Sequence, residues 1–134
     1  MISYLLDTNV VIALIANKSE PLLKRLVSHP LGSVALSVIA VHELYYGAYK
    51  SQRVEHNLET LRLFSRNFPV LEMDRQDAIV AGDIRAMLAA RGQPIGPYDV
   101  LLAGQAKARD LILVTNNLRE FERVPGLRVE DWLR

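Results

Sequence analysis

Ile2-Ser3-Tyr4-Leu5-Leu6-Asp7-Thr8-Asn9-Val10-Val11-Ile12-Ala13-Leu14-Ile15-Ala16 decides the architecture, because a short apolar run stops there at an acid and strand patterning gives way to helical spacing. Residues 2–6 read as a buried strand and Val10 to Ala16 as a helix, which leaves Asp7-Thr8-Asn9 as the turn between them. In open α/β sheets ligands bind just beyond the carboxyl ends of strands, where Asp7 stands. Asp, Thr and Asn are also good helix N-caps, and capping alone accounts for the tripeptide too. With Asp7 given to a ligand, Thr8 and Asn9 are expected to do the capping.

Outward from this segment, Val70 to Met73 and Leu111 to Val114 read as strands, with weaker candidates at Val34 to Leu36 and near Leu127 to Val129. Helical patterns fill the intervals. One covers Leu22 to Val27, after breaks near Asn17 and Glu20-Pro21. Ser37 caps another from Val38 to about Lys50, and a third covers about Arg53 to Arg66. Asp74 and Asp77 cap a fourth that ends at Arg91-Gly92, and a fifth begins near Pro97 or Tyr98 after the loop Gly92-Gln93-Pro94-Ile95-Gly96. Strands alternating with helices predict an α/β sandwich around a mainly parallel sheet.

With 134 residues, 50% of them hydrophobic, the chain suits a single domain over residues 1–134. It has no cysteine, which excludes disulfides and thiolate zinc sites. Neither a membrane span nor a signal peptide is indicated, so a cytoplasmic protein is expected. Sixteen Lys plus Arg against 15 Asp plus Glu give a net charge of +1, too little for a broad field that attracts polyanions. Nucleic-acid contacts would rest on local groups; Lys50, Arg53, Arg85 and Arg119 are the candidates.

Two further acids match Asp7 in placement. On the helix from Val38, Glu43 lies away from the apolar stripe of Val38, Val41, Leu44, Tyr45 and Ala48, with Gly47 one turn on leaving space before it. Asp99, in the first turn of its helix, shares a face with Leu102, Ala103 and Ala106 and is expected to point inward, where a charge needs a partner or a metal. Thr115-Asn116-Asn117 ends the strand Leu111 to Val114 as Asp7-Thr8-Asn9 ends the first. Exposed helix faces and caps explain each group singly. Together, oxygen donors that repel one another describe a site for Mg2+, or Mn2+, with retained waters.

Two rival motifs fail. His42-Glu43 begins like a zinc-protease helix, but Tyr46 stands where the second His is required. An aspartyl phosphotransferase needs a second acid two residues after the first, and Asn9 is there. His29 and His56 read as surface residues.

With these residues in place, the chain resembles the PIN-domain ribonucleases, and among them the VapC-type toxins of bacterial toxin–antitoxin pairs. The resemblance runs from Leu5-Leu6-Asp7-Thr8-Asn9 to Glu130-Asp131-Trp132. It is carried by His42-Glu43-Leu44-Tyr45-Tyr46-Gly47-Ala48, Gly92-Gln93-Pro94-Ile95-Gly96-Pro97-Tyr98-Asp99 and Val114-Thr115-Asn116-Asn117-Leu118-Arg119-Glu120-Phe121. It implies a PIN-like three-layer sandwich and places the catalytic, metal-holding acids at Asp7, Glu43 and Asp99. Many PIN domains have a fourth acid where this chain has Asn117. Thr8, Thr115, Asn116 and Asn117 are then expected to orient carboxylates or water.

The resemblance further implies a Mg2+-dependent endoribonuclease acting on structured RNA, tRNA being a frequent target and the anticodon stem-loop of initiator tRNA a weaker expectation. Its products would carry 5′-phosphate and 3′-hydroxyl ends. Expected partners are a VapB-type antitoxin, whose C-terminal segment covers the site, and a second copy in a homodimer. The competing function from another class is a noncatalytic PIN-fold module that binds RNA or protein.

Overall fold

The computed structural model describes residues 1–30 and 32–134. Along the chain run β1 (Tyr4–Leu6), α1 (Thr8–Ala16), α2 (Glu20–Val27), β2 (Val34–Ser37), α3 (Val38–Tyr49), α4 (Val54–Ser65), β3 (Val70–Leu71), α5 (Arg75–Ala90), α6 (Pro97–Ala108), β4 (Ile112–Val114), α7 (Leu118–Phe121) and β5 (Val129–Glu130). The strands form one sheet in the order β3-β2-β1-β4-β5, and every neighbouring pair is parallel.

Consecutive strand residues point to opposite faces, so Leu5 and Leu6 enter different cores. Ala35 and Leu113 join Leu5 on the face covered by Ile84 and Leu88 of α5, Leu102 and Ala106 of α6, and Phe121 of α7. Leu36 and Val114 join Leu6 on the other face, with Val10 of α1, Leu22 of α2, Leu44 of α3, Leu61 of α4 and Trp132. Burial on both faces is why these strands read as continuous apolar runs. The expected three-layer sandwich is the observed one.

Several boundaries differ from the sequence reading. Ile2 lies outside the ladder, because its apolar side chain packs against the core under α5 and α6 without strand pairing. The strand expected over Val70 to Met73 is only Val70–Leu71, and the one near Leu127 to Val129 lies at Val129–Glu130. Helix α2 starts before its apolar spacing does, since the Ser19 side chain caps it and Pro21 occupies its first turn. The four-residue α7 is too short to show a helical period and was not anticipated.

Helices α5 and α6 pack tightly at Gly104, where an added Cβ would lie 2.5 Å from the Cβ of Ala81. Gly104→Ala is therefore expected to destabilise the protein by about 1–3 kcal/mol. Gly82 on α5 has no heavy atom within 4 Å of the equivalent position, and Gly82→Ala is expected to stabilise by up to about 1 kcal/mol. Opposite displacements of the two melting temperatures would show that close approach, not glycine content, limits this helix pair.

An ion pair with a buried carboxylate fixes the C-terminal end of α6. The expected capping box at the start of α5 is present, with Asp77 N–H donating to Asp74 Oδ1 (2.9 Å) and Asp74 N–H to Asp77 Oδ2 (3.0 Å). Asp77 does more than cap. It is fully buried, and Arg109 grips it through Nε to Oδ1 (3.2 Å) and Nη2 to Oδ2 (2.9 Å), while Arg109 Nη2 also donates to the Glu72 carbonyl (2.8 Å). Burial pushes the Asp77 carboxyl up, but the Arg109 hydrogen bonds and the Asp74 cap outweigh it and hold the carboxyl below the usual range.

Candidate active site

The strand order places β1 beside β4, with Leu6 in register with Val114, so Asp7 and Thr115 leave adjacent strand ends at the same height. This is the switch point of the sheet, where the chain leaves neighbouring strands in different directions. Asp7 N–H donates to the Val114 carbonyl (2.9 Å), continuing the ladder by one step.

The Asp7 side chain is 4% exposed and is held at both oxygens. Oδ1 accepts from Thr8 N–H (2.8 Å) and Oδ2 from the Thr115 hydroxyl (2.8 Å). The Thr115 oxygen in turn accepts from Asn117 N–H (2.9 Å), which leaves its own proton aimed at Asp7. Asp7 is thus itself the N-cap of α1, and the expectation that Thr8 and Asn9 would take that role does not hold. Thr8 turns its hydroxyl instead to Glu43 Oε1 (2.8 Å), tying the first acid to the second across 35 residues.

Asp99 stands in the first turn of α6, which Pro97 opens after Gly96. A Cβ at Gly96 would sit 3.0 Å from Asp99 Oδ2, so the glycine leaves that oxygen its room. Burial pushes the Asp99 carboxyl up to about 6, and the charges of Asp7, Glu120 and Glu43 add to the shift. Burial likewise raises Asp7; the Thr115 and Thr8 hydrogen bonds oppose this, while Glu43 and Glu120 reinforce it. Asp7 and Asp99 are thus both pushed up by burial and by the negative charges around them.

Glu120 on α7 is the acid the sequence reading missed. The sequence points instead to Asn117, three residues earlier, whose side chain does not cap α7, and to Asn116, which is exposed. The available signal was an acid in the first helical turn after a strand-end polar cluster, but the short α7 hid that turn.

Asp7, Glu43 and Asp99 open onto a cleft of about 540 Å3, walled also by Asn9, His42, Tyr46, Lys50 and Tyr98. Lys50 holds its Nζ 4.7 Å from the centre of the Tyr46 ring. Of the basic candidates only Lys50 lines this cleft. Arg85 borders a neighbouring depression with Pro97 and Tyr98, Arg53 precedes α4, and Arg119 is exposed on α7. An apolar groove continues from the cleft past Glu43 and Gly47 to Ile12, Ile15 and Leu61.

His56 is exposed as expected, but His29 is not a simple surface residue. Its ring stacks on Trp132 (5.0 Å between centroids) and meets Tyr4 (4.5 Å), because the C-terminal tail folds back over α2.

Among the described residues no three His, Cys, Asp or Glu side chains converge tightly enough to cage a metal ion. Mg2+ needs no cage: it retains several waters and takes one or two carboxylates. Asp7 and Asp99, with Glu43 beside them, are hard oxygen donors with excess negative charge and spare lone pairs, a set that fits such an ion. In the metal-free protein the sign of the pH effect follows. A carboxyl at about 6 when folded and near 3.8 when unfolded makes stability fall as pH rises between those values. Thermal melts in chelator from pH 4 to 7 are expected to show that decline, and Asp99→Asn to flatten it.

A PIN domain profile matches residues 4–127. The chain is 48% identical to the tRNA(fMet)-specific endonuclease VapC of Salmonella typhimurium over 98% of this chain and 99% of that protein. The chain belongs to the VapC family of PIN-domain proteins. Among solved structures, a chain of the DNA-bound VapBC complex of Salmonella typhimurium superposes with a TM-score of 0.94 at 48% identity, over 98% of this chain and 99% of that one. A chain of VapBC-1 from nontypeable Haemophilus influenzae gives 0.90 at 33% identity over the full length of both. Within this VapC chain, the three acids that the family resemblance nominated lie around one cleft. None of its described helices is long and apolar enough to cross a membrane.

Proposed function

We propose that this chain is the toxin of a toxin–antitoxin pair and a Mg2+-dependent endoribonuclease, with Mn2+ as a substitute ion, that hydrolyses phosphodiester bonds in structured RNA. The observation that carries the reading is the cluster of mutually repelling acids around one open cleft at the sheet's switch point. The 48% identical relative is named for tRNA(fMet), which makes that tRNA the substrate of first choice, with its anticodon stem-loop the weaker expectation that the family resemblance raised.

Thr115 and the Thr8 N–H hold both oxygens of Asp7 in one orientation, and the Thr8 hydroxyl holds Glu43 beside it. Asp99 reaches the same cleft from the start of α6. Bound among these acids, Mg2+ would supply Lewis acidity to activate water and to stabilise charge on the phosphate. Lys50, on the wall of the cleft, would take a neighbouring phosphate of the RNA backbone. In-line attack by water on the scissile phosphorus, with the P–O3′ bond breaking, would release a 3′-hydroxyl and leave a 5′-phosphate.

A VapB-type antitoxin is the partner, supported by the VapBC complexes among similar structures. The acidic cleft running into an apolar groove suits a segment with a basic and several apolar side chains. The toxin is read as a cytoplasmic homodimer. The purified chain is expected to cut initiator tRNA with Mg2+ and to stop in chelator. A folded chain that binds RNA and never cuts it would establish the noncatalytic alternative.

A further inference from the structure

Two aromatic side chains sit next in sequence to the acids without serving either core. His42 immediately precedes Glu43 on α3, and Tyr98 immediately precedes Asp99 at the start of α6. The buried residues of those helices are others, among them Ala40, Leu44 and Ala48 on α3 and Val100, Leu102 and Ala103 on α6. Tyr98 is 44% exposed and His42 is exposed as well, yet their rings meet across the gap between the two helices, with centroids 5.4 Å apart and planes at 51°. Both rings line the acidic cleft.

Aromatic surface left in water is unfavourable, and here it is concentrated beside the acids. The separation limits what it can do. A base inserted between two rings needs about 7 Å, two contact distances, so these rings cannot act as a slot. Touching each other with their planes at 51°, they form a bent aromatic ledge, on which a single flat group can stack against one ring and meet the other at its edge. The cation Lys50, resting on Tyr46, belongs to the same cleft. Aromatic ledge, cation and acids together match the base, phosphate and reacting centre of a nucleotide. Bases in RNA loops are the ones free to stack on protein side chains.

We propose that His42 and Tyr98 form a stacking platform for the unpaired base that adjoins the scissile phosphate, so that the protein selects RNA where a base can leave its own stack. This rests on the ribonuclease reading above. The two side chains are positioning residues: they hold the nucleotide and take no part in bond making or breaking.

The test uses a tRNA anticodon stem-loop with 2-aminopurine in the loop, whose fluorescence is quenched when the base stacks, and Ca2+ in place of Mg2+ to slow cleavage. Binding of the unmodified protein and of Tyr98→Phe is expected to quench the probe. Tyr98→Ala and His42→Ala should lose the quenching and, with Mg2+, raise KM about tenfold while kcat stays within about threefold. His42→Phe should restore both. Because both side chains are exposed, the melting temperatures should match that of the unmodified chain.

An alanine variant that quenches and cleaves like the unmodified protein overturns the platform. So does one that loses kcat at constant KM, or one that changes only dimerisation or antitoxin affinity. An unmodified chain that quenches the probe but never cuts RNA would uphold the platform and overturn the ribonuclease reading, whereas no binding at all overturns both.

Discussion

Asp7→Asn is expected to lower RNA cleavage by about a thousandfold while the protein stays folded. Its carboxylate is the most constrained of the acids, held by Thr8 N–H and the Thr115 hydroxyl, and it carries charge to the point where two strand ends and the cleft meet. Removing one such fixed electrostatic group typically costs a hundred- to a thousandfold in rate, and a central ligand belongs at the upper end. The effect on stability runs the other way. Asn keeps one of the two hydrogen bonds and faces a donor with its amide at the other, a loss of about 1 kcal/mol. Against that, burial and the neighbouring acids disfavour the Asp7 charge, so a neutral side chain relieves the metal-free fold at neutral pH. Cleavage assays on tRNA with parallel melts in chelator check both halves. A folded Asp7→Asn protein with full activity would sink the assignment.

Arg109→Met has the largest expected effect on stability, a loss of about 3 kcal/mol. The substitution leaves Asp77 buried at the joint of β3, α5 and α6 with no cation. Breaking a buried pair from one side is costly because the remaining charge loses its partner but not its desolvation. Arg109 itself remains 30% exposed, which puts the figure at the lower end of the usual range. The pH dependence identifies the cause. In the unmodified protein Asp77 contributes stability above its unfolded value near 3.8 and loses it as pH falls through its lower folded value. In Arg109→Met the carboxyl rises instead, and the deficit shrinks as acid protonates it. Urea unfolding at pH 7 and pH 4 separates the two, and Asp77→Asn combined with Arg109→Met should recover part of the loss at pH 7.

Much of this architecture was legible in local patterns. Asp74 and Asp77 announced the cap of α5, Asn17 the break after α1 and Gly92 the end of α5, and the apolar runs announced strands buried on both faces. The short edge strands were less legible, since Val70–Leu71 and Val129–Glu130 pair for only two residues and their limits are set by the neighbouring strand. In the site, Asp7, Glu43 and Asp99 could be named from strand ends and helix faces. Glu120 could not, because α7 has too few turns to mark which of its residues faces the acids. His29 was misread for a related reason: its partner Trp132 lies at the other end of the chain.

By itself the sequence determined an alternating α/β fold, nominated three acids and carried the motifs of the family resemblance, because period, capping and short motifs act over a few residues and need no knowledge of what lies across the sheet. Only the tertiary structure decided which groups meet. Thr115 reaches Asp7 over 108 residues, Thr8 reaches Glu43 over 35, and Arg109 reaches Asp77 over 32. The His42 and Tyr98 rings touch only because α3 and α6 flank one cleft. Those meetings depend on the order β3-β2-β1-β4-β5, which sets β1 beside β4. Hydropathy marks each strand as buried without saying which strand is its neighbour.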